Sequence, residues 1–253
     1  MELSNNRKPW TKDQLKLAFY LYCQLPFGRL HSKNQRIIET SAIIGKTPSA
    51  LAMKLVNFAS LDPAVQNRGR KGLGNASVAD KEIWREFHND WEKLVTECET
   101  LFQNKNSSVV EKELPDYTGE THDAIISVRH GQSFFRKAIL ASYQSICCIS
   151  GVSLPQLLVA SHIIPWSEAK DIRLDPSNGL CLSAIHDKAF DKGLITVMPD
   201  YTVRISEELK ENVNGSQQIR LLVLSNKQMI RLPEKFLPNK RFLDWHNKNI
   251  FKG

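Results

Sequence analysis

Two of the seven histidines and one asparagine stand close together in SHIIPWSEAKDIRLDPSNGLCLSAIHDKAF, residues 161–190. His162 ends an apolar run, LLVASHII (157–164), bounded by Pro155 and Pro165, and such a run predicts a strand. Asn178 closes the turn-rich WSEAKDIRLDPSN (166–178), where DPSNG reads as a turn, and NGLCLSA (178–184) is apolar enough to return as a second strand. His186 falls in IHDKAFDKG (185–193), which fits a short helix with Gly193 as its C-cap, before a further strand LITVM (194–198). Strand, loop, strand and helix would bring His162 and His186 together with Asn178 at the loop's edge. A neutral imidazole with a pKa near 6.5 can take a proton from water. A second imidazole can help hold a divalent ion that offsets charge on a phosphate, the ion otherwise keeping water and phosphate oxygens. An asparagine amide can pin a loop from both of its polar atoms. The three together suit phosphodiester hydrolysis; the bland alternative, satisfied structural histidines, is the commoner fate of a lone one.

The elements upstream read as helical. TKDQLKLAFYLYCQL (11–25) has Leu15, Ala18, Phe19 and Tyr22 at helical spacing, Thr11 as N-cap and Pro26 as its end. QRIIETSAII stops at Gly45, and TPSALAMKLVNFASL (47–61) follows with Thr47 as N-cap and Pro48 in the first turn. Two amphipathic helices joined by so short a turn suggest a helix-turn-helix, which would turn Lys46, Ser49 and Lys54 towards DNA. In NRGRKGLGNAS (67–77), Arg68, Arg70 and Lys71 sit among glycines, a composition suited to close phosphate contact. An acidic helix is expected over 79–102, with Ile83, Trp84, Phe87, Trp91 and Leu94 on its apolar stripe, and a polar linker over 103–120. The expected organisation is thus a helical domain at 1–102, the linker, and a second domain at 121–253, opened by a helix carrying Phe134, Phe135, Ala138, Ile139 and Tyr143 on one face.

Charge follows the same division. Residues 1–75 carry 12 Lys/Arg against 4 Asp/Glu, residues 76–120 carry 5 against 11, and residues 121–253 carry 17 against 12, for +7 overall. Two basic blocks could favour a polyanion by counterion release, or could be merely a solvated surface. The sequence contains no apolar run of about 18 residues or more, so no membrane span is expected. The opening MELSNNRKPWTKDQ lacks an apolar leader core, and five cysteines without a CxxC pair read as reduced thiols, which places the expected location in the cytoplasm and argues against a zinc knuckle.

The ordered motif SHIIPW…DPSNGLCLSAIHDKAFDKGLITV closely resembles the HNH endonuclease family, and GQSFFRKAILASYQSICCISG and RLPEKFLPNKRFLDWHNKNIF resemble its flanks. The resemblance spans 125–251 and implies an α+β protein: a ββα-metal nuclease domain behind a helical DNA-binding domain. It implies His162 as general base, Asn178 as the residue holding loop and base in place, and His186 as ligand of a divalent metal, Mg²⁺ or else Mn²⁺. Ser161 departs from the pattern, because many such modules carry an acidic residue or histidine there as a second ligand. The implied activity is hydrolysis of double-stranded DNA to 5′-phosphate and 3′-hydroxyl ends, in a restriction-type role, with a requirement for modified bases left open. A single site cuts one strand, so a double-strand break would call for a homodimer. Two alternatives stay open: a DNA-binding regulator with an idle module, motivated by Ser161, and a nuclease of RNA or single strands.

Overall fold

The computed structural model describes residues 9–69, 75–106, 119–212 and 226–253. Arg70 and Lys71, expected to touch DNA, lie outside the described residues.

Helix α1 (Lys12–Cys23) begins at Thr11, whose hydroxyl accepts from the Gln14 amide while the Gln14 side chain accepts from the Thr11 amide. Helix α2 (Gln35–Ile44) ends at Gly45 in the left-handed region, and α3 (Pro48–Ala59) starts from Thr47 with Pro48 in its first turn. A one-turn helix α4 (Pro63–Gln66) follows. The expected single acidic helix is two, α5 (Val78–His88) and α6 (Trp91–Asn106). Asp90 breaks it, because its carboxylate accepts from the Lys93 amide and so starts a new helix. Ile83, Phe87, Trp91 and Leu94 nevertheless stay buried across the break. Helix α7 (Gly119–Ser142) packs on α1 and α6 as well as on the downstream hairpin. Since α6 reaches Asn106 and α7 begins at Gly119, both ends of the segment expected as a linker are helical.

Strands β1 (Leu158–His162) and β2 (Gly179–Ser183) form an antiparallel hairpin that pairs Leu158 with Ser183 and His162 with Gly179. Helix α8 (Ala184–Asp191) packs on both strands. Gly193, at φ 70°, turns the chain into β3 (Ile195–Val197); a Cβ there would lie 2.0 Å from the Ile250 carbonyl oxygen, so only glycine fits. Strand β4 (Val203–Ile205), helix α9 (Glu207–Glu211) and helix α10 (Lys240–Asn249) complete the described elements. The sequence reading assigned none of these three. No helix among the described residues is long and apolar enough to cross a membrane.

One apolar cluster runs from Leu15 in α1 to Leu243 in α10, so the two expected domains share a core. Their seam is polar at one point. Lys235, fully buried, donates to the carbonyls of Tyr22, Cys23 and Leu25 at the end of α1, at 2.5, 3.1 and 2.7 Å. An ammonium has three donors, and a helix C-terminus has unsatisfied acceptors carrying negative partial charge, so the match is complete. Burial pulls the Lys235 pKa down to about 8, which leaves it charged at neutral pH. Beside it, Asp62 accepts from the Tyr22 hydroxyl and the Phe236 amide.

Lys54 is corrected by the same kind of chemistry. It is 8% exposed and donates both to Asp80 Oδ1 at 2.8 Å and to Oδ2 at 3.0 Å, so it ties α3 to α5 instead of facing solvent. Three neutral acceptors would be stranded in the core of a Lys235→Met protein. Its unfolding free energy should fall by about 3 kcal/mol or more, read as a lower denaturant midpoint. A variant as stable as the parent would show that the clasp contributes nothing.

Candidate active site

His162, at the end of β1, is half-buried between two aromatic rings. Phe135 of α7 stacks on the imidazole at 3.9 Å with the planes 8° apart, and Trp166 meets it edge-on at 5.5 Å. The stacking depends on Gly179, the cross-strand partner of His162. A Cβ on Gly179 would lie 2.3 Å from Ile139 Cδ1 and 2.8 Å from the Phe135 ring, so the missing side chain is what lets α7 close on the hairpin. The turn signal read in DPSNG has a different basis here, since the Gly179 backbone is extended, at φ −135°.

The tautomer of His162 follows from its partner. Nε2 lies 2.8 Å from the Arg173 carbonyl oxygen, and a carbonyl can only accept, so Nε2 carries the proton and Nδ1 keeps the lone pair. Burial lowers the His162 pKa below the ordinary histidine value; the bond to Arg173 and the charge of Asp187 act in the opposite sense. The imidazole is therefore neutral at pH 7. Asp187 is close enough to His162 to act on it through its charge.

Asn178 is fully buried, and both ends of its amide are occupied. Oδ1 accepts from the Ile164 amide at 2.9 Å and Nδ2 donates to the Ile164 carbonyl at 3.1 Å. The Asn178 main-chain carbonyl also accepts from Ile163. Asn178 thus clamps the start of the 163–178 loop to its end. That arrangement has no amide atom left over for water or metal, which makes Asn178 a positioning residue instead of a catalytic one.

His186, in the first turn of α8, is 5% exposed, and burial lowers its pKa. Its Nδ1 lies 2.8 Å from the Ser183 hydroxyl, and with Nδ1–H donating to that oxygen, Nε2 keeps its lone pair. A neutral imidazole with one nitrogen oriented and one unused is the form a divalent ion requires. No group of three or more His, Cys, Asp or Glu side chains that could hold a metal is found among the described residues. The Ser161 hydroxyl is buried without a hydrogen-bond partner among the described residues, one position before His162 in β1, where successive side chains take opposite faces. These residues fit an ion held by one imidazole and otherwise by water and phosphate; they do not fit a closed all-protein site.

The remaining candidates lie elsewhere. Ser49 is exposed on α3, and Lys46, half-buried, bonds the Pro9 carbonyl and lies 5.2 Å over the Trp10 ring. Arg68 is exposed, and its guanidinium donates to the Leu232 carbonyl. His246, for which the sequence offered no partner, is bonded on both nitrogens, to Thr196 Oγ1 and to the Phe190 carbonyl, and stacks on Phe190 at 3.7 Å. It braces α8 from behind, a role with no signal at the sequence level.

Residues 147–198 match the family model for HNH endonuclease, which covers the hairpin, the loop, α8 and β3. No curated protein matches the chain.

Enlarging Gly179 should disturb the base without touching its chemistry. Gly179→Ala is expected to lower the thermal midpoint and shift the His162 ring resonances in an NMR spectrum. An unchanged ring environment would mean that α7 adjusts freely and that the glycine is incidental.

Proposed function

We propose that this HNH endonuclease module hydrolyses phosphodiester bonds in double-stranded DNA, with His162 as general base. The observation that carries the proposal is the His162 environment: a neutral ring, its proton fixed on Nε2 by a carbonyl, its Nδ1 lone pair unused. Water held at Nδ1 would give up its proton as it attacks phosphorus, and the Phe135 and Trp166 rings keep the acceptor in one orientation. His186, with Ser183 behind it, is the protein ligand for a divalent ion, Mg²⁺ in preference to Mn²⁺. Bound there, the ion would supply Lewis-acid stabilisation of the phosphate and the departing oxygen. Asn178 keeps the loop closed so that the Arg173 carbonyl stays at Nε2.

The overall charge of +7 supports a polyanionic substrate, and the family resemblance supports a restriction role in the cytoplasm. One module cuts one strand, so two copies would be needed for a double-strand break. The idle-module reading is favoured by one observation only, the solitary Ser161 where a second ligand is usual.

The test is nicking of supercoiled plasmid, unmodified and cytosine-modified, with Mg²⁺, Mn²⁺ or EDTA. Cutting is expected only with metal and should drop by about 10²–10⁴ in His162→Ala. Because His162 must be neutral and burial lowers its pKa, the rate should level off below the ordinary histidine value and fall as pH drops further. Equal cutting by His162→Ala removes the histidine from the mechanism. No cutting with retained DNA binding would favour the idle module.

A further inference from the structure

Arg173 contributes to the site through its backbone, and its side chain is unaccounted for by that role. The guanidinium lies 5.0 Å over the Trp166 ring, the ring that meets His162 edge-on, so a single aromatic side chain separates it from the candidate base. Its Nη2 donates at 2.6 Å to Glu92 of α6, and its Nε is buried with no acceptor among the described residues. One fork of the guanidinium is thus half used. Glu92 is half-exposed, and an ion pair of that kind is weak. Glu92 also borders an open cleft of about 540 Å³ lined by Asn89, Asp90, Lys93, Thr96, Glu97 and Asp171. Within it Lys93 pairs with Glu86, and Glu97 with Lys16, so the wall beside the site is acidic and repels a phosphate backbone.

We propose that Arg173 is a phosphate-binding residue of this site and that the Glu92 carboxylate of α6 occupies it in place of a nucleic-acid phosphate. The inference rests on the nuclease reading and adds to it a residue for the phosphate next to the scissile one. A phosphodiester offers two oxygens in the geometry that the Nε/Nη2 edge of an arginine binds in parallel. It would satisfy the donor that Glu92 leaves unpaired. Substrate entry and release of α6 from the loop are then a single exchange of one anion for another. The helical half of the chain, through Glu92, raises the threshold for engaging DNA.

The test is fluorescence anisotropy of a short labelled duplex with the full chain in EDTA, where no cutting intervenes, over a series of salt concentrations. Glu92→Gln should tighten binding about two- to fivefold at low salt. Arg173→Gln should weaken it and reduce the slope of log Kd against log salt by about 1. Added to Arg173→Gln, the Glu92 change should then have no effect. Thermal melts run alongside, and Arg173→Lys, which keeps charge but loses the planar fork, replaces any variant that fails to fold. Unchanged or weaker binding by Glu92→Gln overturns the proposal, as does an equal gain in the Arg173→Gln background. Binding without plasmid nicking would sink only the hydrolase reading; absence of duplex binding in every form would sink both.

Discussion

The amide of Asn178 is the constraint on which the candidate chemistry depends. It bonds both backbone groups of Ile164, and the Asn178 carbonyl takes the Ile163 amide, so a loop of irregular chain is closed at its neck by three hydrogen bonds. Inside that loop lie Trp166, whose ring walls the imidazole, and Arg173, whose carbonyl sets the tautomer. A buried amide bonded through both of its polar atoms is costly to replace, because an apolar substitute leaves polar backbone unpaired. The geometry of the base is thus fixed at one remove, by a residue that touches neither water nor phosphate.

A second constraint comes from the seam between the N-terminal helices and the C-terminal half. Lys235 caps α1, Asp62 holds Phe236, and α7 touches α1, α6 and the hairpin at once. The β1–β2 hairpin has only two strands, and a two-stranded unit is marginal unless something packs on it. Here α7 and α8 supply that packing, and α7 is itself held by the N-terminal helices. The helical half is consequently part of the scaffold for the hairpin that carries His162. That shared core makes a contact such as Glu92 with Arg173 mechanically meaningful, since neither side can drift away.

How much of this was legible in the sequence depends on range. The hairpin, α8, the caps at Thr11 and Thr47, and the stop at Gly45 all follow from local pattern, because period and capping act within a few residues. The placement of His162 on a strand and of His186 in the first turn of the following helix was legible too, from apolar run and turn chemistry. Lys54 was misread because its partner Asp80 lies 26 residues away, and no local rule shows that a lysine on a helix will be buried against a carboxylate. The break at Asp90 was misread because the apolar stripe passes straight through it; an N-cap inside a continuous stripe competes with the period and wins locally. Lys235 and His246 were invisible for the same reason as Lys54, their partners being remote carbonyls and hydroxyls that carry no residue-type signal.

The histidines show what separates a structural imidazole from a reactive one. Burial pushes His88 and His246 down to about 4, and it lowers His162 and His186 as well, so a depressed pKa does not distinguish them. The difference lies in the nitrogens. His246 is bonded on both and stacked on Phe190, which leaves it nothing to offer a substrate. His88 donates to the Trp84 carbonyl and is buried against the Trp84, Trp91 and Phe236 rings. His162 has its proton fixed on Nε2 by the Arg173 carbonyl, while the Ser183 hydroxyl at Nδ1 orients the His186 ring, and neither ring has a bond to its other nitrogen among the described residues. Neutrality comes from burial and direction comes from one hydrogen bond. Only where the second bond is withheld does the same side chain become available for proton transfer or metal binding.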